Sequence, residues 1–224
     1  MPNSLMPSDL TIKRYTLGEE IAHAVTHGLG LLLSIGGLVV MVVYSARYGD
    51  AWHITSSCIY GTTLILLYAG STLYHGIPHV NAKRILRRFD HAAIFLLIAG
   101  TYTPFTLVSI RGGWGWSLFV LVWGIALVGM VLELATEQRF KRLSMMLYLG
   151  LGWLVVVAIK PMLAAVDTAG LFLLLAGGLC YSLGVLFYVW KSLTYHHAIW
   201  HLFVLAGSAL HFFSVFIYVV PDAS

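Results

Sequence analysis

The sequence predicts an all-α, polytopic membrane protein with seven transmembrane helices. Hydrophobic residues make up 59% of the 224 residues and charged residues only 10%, whereas a soluble domain is about one quarter charged. The mean hydropathy of +0.87 makes lipid the expected solvent. The apolar runs are continuous and long enough for helices, and none alternates like a barrel strand. They fall at 24–46, 53–75, 91–110, 114–134, 143–163, 168–190 and 198–220.

One domain is expected over residues 1–224, with residues 1–20 as a polar amino-terminal tail. This tail has no apolar core of its own, so it does not resemble a cleavable signal peptide. Both cysteines fall in apolar runs without a CxxC pattern, which argues against a disulfide framework or a thiolate metal site. Pro104 predicts a kink near the end of the third run.

The Lys and Arg residues of the loops set the expected orientation. Ten of them lie on one side of the predicted membrane and three on the other. Because cytoplasmic loops carry the excess of positive charge, the amino terminus is expected in the cytoplasm. Seven spans then place the carboxyl terminus outside. The basic cluster KRILRR at 83–88 is explained as such a loop, so no nucleic-acid partner is expected.

Two short motifs place polar side chains one helical turn apart. STLYH ends the second run with Ser71 and His75, and HHAIWH opens the seventh with His197 and His201. Residues at i and i+4 share a helix face, so two histidines at this spacing can bind one ion. Three imidazoles would leave a fourth position for water, as in catalytic zinc sites. The alternative is interfacial histidines bonded to headgroups or carbonyls, with Ser71 bonded to its own helix.

Three further polar residues lie at the same predicted depth. Asp90 begins the third run, either as a helix cap or beside the proposed metal. His23 and His27 form a second i, i+4 pair at the start of the first run. They could be ligands, but we favour groups that contact the ligands, or simply the polar start of a helix. Spacing alone does not distinguish zinc from other metals.

Four segments in this order carry a resemblance: EEIAHAVTHGLG, STLYHGIPH, FDHAAIFLLIAGTYTPF and HHAIWHLFVLAGSALHF. Together they resemble the bacterial hemolysin III family of the progestin and adipoQ receptor superfamily, over about residues 15–220. The resemblance implies a multi-pass protein of the bacterial inner membrane. It also implies one zinc ion per chain, held by His75, His197 and His201, with Ser71 and Asp90 around its water.

The resemblance further implies an action on membrane lipids, because superfamily relatives include ceramide hydrolases. The protein would be a zinc-dependent hydrolase of a lipid amide or ester. Asp90 would orient the water or act as general base, and Ser71 would hydrogen-bond the water or the developing oxyanion. One alternative is a non-enzymatic regulator of membrane lipid or energetics homeostasis with a structural zinc. A second is a pore-forming cytolysin, although the sequence shows no ring of charges or filter-like loop. The oligomeric state is not indicated.

Overall fold

The computed structural model describes residues 15–136 and 140–221. Predictions for residues 1–14 lie outside this range. The described residues are almost wholly helical and contain no strand. The helices are α1 (Leu17–Tyr48), α2 (Ala51–Gly76), α3 (Val80–Pro104), α4 (Gly113–Thr136), α5 (Lys141–Gly152), α6 (Ile159–Ala165), α7 (Thr168–Val189) and α8 (His196–Tyr218). A 3₁₀ segment, Trp153–Ala158, joins α5 to α6, so that 141–165 forms one span-length rod.

Six helical segments of the described chain are long and apolar enough to cross a membrane, not the seven expected. The expected span at 53–75 is the exception. It lies within α2, whose buried side chains include Ser56, Ser57, Thr63 and Ser71. Helix α2 packs mainly against α1 and α3. Because neighbouring helices cover these hydroxyls, α2 does not need the apolar surface that a lipid-facing helix needs.

Two helices begin earlier than the apolar runs predict. Helix α1 begins at Leu17 because Thr16 and Glu19 form a capping box, in which each side chain bonds the other's backbone N–H. Residues 17–20 therefore belong to the helix and not to a tail. Helix α3 begins at Val80, so the basic cluster at 83–88 forms its first turns. Asp90 consequently lies inside α3, which excludes the helix-cap alternative for this residue.

Backbone irregularities mark α3 and the rod of α5 and α6. At Pro104 the helical pattern changes to a π-helical turn over Phe105–Ser109, close to the predicted kink. The hydroxyl of Tyr102 accepts a hydrogen bond from the Val155 N–H at 2.7 Å. It also lies 3.0 Å from the Leu151 carbonyl oxygen. Tyr102 thus bonds the backbone where the α-helix gives way to the 3₁₀ segment.

The helices enclose an apolar cavity of about 420 Å³. It lies between α3 on one side and the segments from α5 to α8 on the other. The lining is overwhelmingly hydrocarbon and includes Leu97, Ile98, Met162, Leu171 and Val204. At one end of the bundle, the start of α1, the end of α2 and the start of α8 meet. We call this region the histidine end, because it gathers His23, His75, His197 and His201.

Candidate metal centre

Three buried imidazoles from two helices meet at the histidine end. His75 lies in the last turn of α2, and His197 and His201 lie in the first two turns of α8. Each offers a ring nitrogen, and these nitrogens lie within 4.8 Å of one another. Tyr195, with a φ of 58°, turns the chain into α8 just before the pair. The structure therefore brings together the three histidines that the two motifs singled out.

Hydrogen bonds to Nδ1 orient two of the three rings. His75 Nδ1 lies 2.7 Å from Glu20 Oε2, and His201 Nδ1 lies 3.3 Å from the His23 carbonyl oxygen. Carboxylate and carbonyl oxygens only accept, so each Nδ1 carries the proton and each Nε2 keeps its lone pair. Histidine ligands of metals show the same arrangement, with the non-ligating nitrogen held by an oxygen.

The free nitrogens of this cluster suit a metal ion. His75 Nε2 and His197 Nδ1 are buried and have no hydrogen-bond partner in the described part of the chain. Buried polar atoms without a partner are rare, because leaving one unbonded costs about 1–3 kcal/mol. Three neutral imidazoles are a donor set that zinc prefers. The residues present therefore fit a zinc ion.

Ser71 and Asp90 lie beside the α8 histidines. A pocket of about 60 Å³ is lined by Ser71, Asp90, His197 and His201 together. Ser71 is 1% exposed, and its Oγ has no hydrogen-bond partner among the described residues. Asp90 reaches the pocket from α3, where α2 and α3 approach closely at Gly70. This pocket thus holds a hydroxyl, a carboxylate and two of the three candidate ligands.

His23 and His27 lie inside the cluster and do not simply form a polar helix start. The His23 ring centroid is 4.5 Å from that of His75 and 4.9 Å from that of His197. The His27 ring stacks on His201 with centroids 3.5 Å apart. His23 therefore lies against all three candidate ligands, and His27 lies against His201. Their part in holding a metal stays a prediction.

Several residues of this site are not predicted by the sequence motifs. Glu20 and Lys83 form a hydrogen-bonded pair behind His75. Tyr15 covers the cluster, with its ring centroid 4.8 Å from that of His23. Burial raises the pKa of the Tyr15 hydroxyl, so it stays protonated at neutral pH. Glu133, buried in α4, lines the same pocket as Asp90. These residues come from α1 and the segment before it, from α3 and from α4, and no local spacing links them to the two motifs.

A family model and the curated relatives point to the same protein family. A family model described as "Haemolysin-III related" matches residues 15–212. The chain is 50% identical over 206 residues to "Hemolysin-3 homolog" of Bacillus subtilis (strain 168), covering 92% of this chain and 97% of that protein. It is 44% identical to "Hemolysin-3" of Bacillus cereus, covering 98% and 100%. It is 28% identical to human "Monocyte to macrophage differentiation factor", covering 91% and 86%.

Proposed function

Since this chain belongs to the haemolysin-III-related family and is a multi-pass bacterial membrane protein, we propose that it is an intramembrane, zinc-dependent hydrolase of a lipid amide or ester. One observation carries this proposal. Two of the three clustered imidazoles, those of His197 and His201, line a pocket together with Ser71 and Asp90, and this pocket adjoins the large apolar cavity.

The shared wall of the two spaces supports a lipid substrate. The side chains that line both the pocket and the cavity are Ile94, Tyr148, Val185, Trp200 and Val204. An acyl chain in the cavity would meet an apolar lining like the bilayer interior, so it could leave the surrounding lipid without exposing apolar surface to water. Its carbonyl end would then lie at the pocket, beside Ser71 and Asp90. In this proposal the cavity binds the acyl chain, and the residues of the pocket carry out the hydrolysis.

The polar residues take separate roles in this proposal. His75, His197 and His201 would hold the zinc ion, which when bound polarises a carbonyl and lowers the pKa of water. Asp90 orients the attacking water and accepts its proton. The water oxygen bonds to the carbonyl carbon, while Ser71 donates a hydrogen bond to the developing oxyanion. The carbon–nitrogen or carbon–oxygen bond then breaks, and Asp90 returns the proton to the leaving group.

The membrane orientation is part of this proposal. The distribution of Lys and Arg in the sequence favours a cytoplasmic amino terminus, and seven crossings would then put the carboxyl terminus outside. This orientation requires α2 to cross the bilayer in addition to the six apolar segments, although α2 is rich in hydroxyl side chains. Its 26 residues span about 39 Å as a helix, which is long enough. The histidine end would then face the cytoplasm.

The test of the reaction uses Asp90→Asn in the purified, zinc-loaded protein. We expect normal zinc content with at least a 100-fold loss of fatty-acid release from ceramide or phosphatidylethanolamine. Asp50→Asn is the matched control, because Asp50 caps the opposite end of α2 and asparagine also caps helices. Unchanged turnover in Asp90→Asn, or no fatty acid released by the wild-type protein from either lipid, would contradict the hydrolase.

A second candidate is a non-enzymatic regulator of membrane lipid or energetics homeostasis, in which zinc is structural. It is favoured by the packing of α2 and α8, which make few direct contacts and are joined mainly through α1. A metal held by His75 and the α8 pair would tie these two helices together. In that case Asp90→Asn should leave the function in cells unchanged, whereas His201→Ala should lower the thermal stability of the protein.

A further inference from the structure

A glutamate behind His75 links three helices at the metal centre. Glu20 lies in the first turn of α1, and its two oxygens face different partners. Oε2 lies 2.7 Å from His75 Nδ1 on α2, and Oε1 lies 2.7 Å from Lys83 Nζ on α3. The side chain of Glu20 is 19% exposed and that of Lys83 is 14% exposed. Both contacts are therefore shielded from bulk water, where ion pairs are weak.

We propose that Glu20 is the positioning residue that orients His75 toward the metal, and that Lys83 holds Glu20 in place. This inference rests on the proposed zinc site. The carboxylate accepts the Nδ1 proton of His75, which fixes the tautomer and leaves Nε2 as the ligand atom. Nε2 is the ring nitrogen that is buried without a partner. The carboxylate also makes the ring a better electron donor.

Lys83 is itself fixed at two points. Besides Glu20, its Nζ donates a hydrogen bond to the Tyr74 carbonyl oxygen at 2.9 Å. It also lies 5.0 Å from the centroid of the Tyr74 ring. Tyr74 immediately precedes His75, so the lysine binds the same turn of α2 that carries the ligand. The starts of α1 and α3 are thus both joined to the end of α2 at His75.

The same carboxylate also belongs to another group of potential ligands. Atoms of Glu20, His23 and His75 lie within 4.8 Å of one another. The contacts of Glu20 argue against a separate ion there, because both oxygens already accept short hydrogen bonds. A cation bound by Glu20 would compete with the ammonium of Lys83. The His23 Nδ1 is 4.0 Å from Glu20 Oε2, too far for a hydrogen bond. Glu20 is better placed to support a ligand than to be one.

Glu19 offers a matched control for Glu20. The two are adjacent acidic residues in the first turn of α1 and contribute equally to its composition and charge. Glu19 instead serves the helix cap, where its Oε2 accepts from the Thr16 N–H at 2.9 Å. Its Oε1 also lies 3.4 Å from the Tyr195 nitrogen, a contact that a glutamine oxygen can also make. Glutamine can replace glutamate in a capping box. Glu19→Gln should therefore keep helix α1 and leave His75 untouched.

The experiment measures metal affinity and not turnover. Purified protein in detergent is titrated with Zn²⁺ against a chelator, and with Co²⁺ while the visible d–d absorption bands are recorded. Glu20→Ala should weaken zinc binding about 10–100-fold and change the cobalt spectrum. Glu20→Gln should lose less, because its amide oxygen still accepts the Nδ1 proton. Lys83→Met should have the smallest effect of the three, and Glu19→Gln none.

The outcomes separate this inference from the proposed function. Wild-type affinity and an unchanged cobalt spectrum in Glu20→Ala would overturn the positioning role while leaving the zinc site intact. A wild-type protein that binds neither metal would overturn both proposals. A loss shared equally by Glu19→Gln and Glu20→Gln would show a general effect on α1 and would also overturn the positioning role. Far-ultraviolet circular dichroism of each variant verifies that the helices persist.

Discussion

The histidine end and the apolar cavity are built in opposite ways. The histidine end is crowded with polar rings whose centroids lie 4.5–5.3 Å apart, and two of its candidate ligands, His75 and His201, donate hydrogen bonds to oxygen atoms of α1. The cavity is open space with an almost wholly apolar lining, and it lies beside the rod 141–165, few of whose residues are buried. Reactive groups need fixed positions, whereas an apolar ligand needs volume and few directional contacts. Substitutions in the two regions should therefore affect different properties.

Removal of the metal should give the largest effect. A ligand present at about 100 times its dissociation constant stabilises the folded state by about 2.7 kcal/mol. Chelation should therefore lower the melting temperature of the wild-type protein by several degrees. His201→Ala should already melt at the lower temperature and should not respond to the chelator.

The control for this prediction is His79→Asn. His79 is an exposed residue that caps α3 through its ring, and asparagine is a good cap. This variant should respond to the chelator as the wild type does. If His201→Ala still lost stability on chelation, the metal would lie elsewhere.

Filling the junction between the histidine end and the cavity should reduce turnover without affecting the zinc content. Val204 is buried and lines both the pocket and the cavity. Val204→Phe should reduce fatty-acid release at least about tenfold, because the acyl chain and the scissile bond no longer reach their places together. Zinc content should remain at the wild-type level.

Leu202→Phe is the control on the same helix, since Leu202 is exposed on the outside of α8. It should leave both turnover and zinc content unchanged. Equal turnover in Val204→Phe and Leu202→Phe would show that the cavity does not bind the substrate during the reaction.

Two glycines of α1 test how tightly α1 packs against α2. A Cβ on Gly30 would lie 2.5 Å from ring atoms of Tyr68 on α2, whereas one on Gly36 would meet nothing within 4 Å. Gly30→Ala should destabilise the protein by about 1–3 kcal/mol through overpacking. Gly36→Ala should be neutral or stabilising, because alanine favours helix more than glycine does. Thermal unfolding of the pair measures this, and equal melting temperatures would mean that α1 shifts freely against α2.

The smallest expected effect comes from the break in the rod 141–165. Tyr102→Phe removes the hydroxyl that accepts from the Val155 N–H and should cost about 1–2 kcal/mol of stability. Tyr48→Phe, at an exposed site at the end of α1, is the control. A loss in Tyr102→Phe no larger than in the control would show that the 3₁₀ segment does not depend on this bond.

Local patterns in the sequence were enough to find the three candidate ligands. The i, i+4 spacing puts His197 and His201 on one face of their helix, and the loop charges put His75 at the same predicted depth in the membrane. Glu20 could not be found in this way. Its partner His75 is 55 residues away in the chain, and the pairing depends on how α1 packs against α2.

The fold, like the candidate site, could be predicted from the sequence only in part. Hydropathy located every long helix but overcounted the apolar spans, because it reads α2 as lipid-facing when its hydroxyls are covered by α1 and α3. The run 143–163 gave no sign of the 3₁₀ segment at Trp153–Ala158, since hydropathy reports side chains and not backbone hydrogen bonds. Pro104 correctly predicted the irregularity at the end of α3, because proline removes a backbone hydrogen-bond donor.

The metal content of the purified protein tests the central claim most directly. Elemental analysis would compare the wild-type protein with a His197→Ala, His201→Ala double variant. We expect about one zinc per wild-type chain and none in the variant, since three imidazoles are the ligand set of an open zinc site. Wild-type protein prepared without chelators and containing no zinc, or a variant that retains it, would contradict a metal centre between α2 and α8.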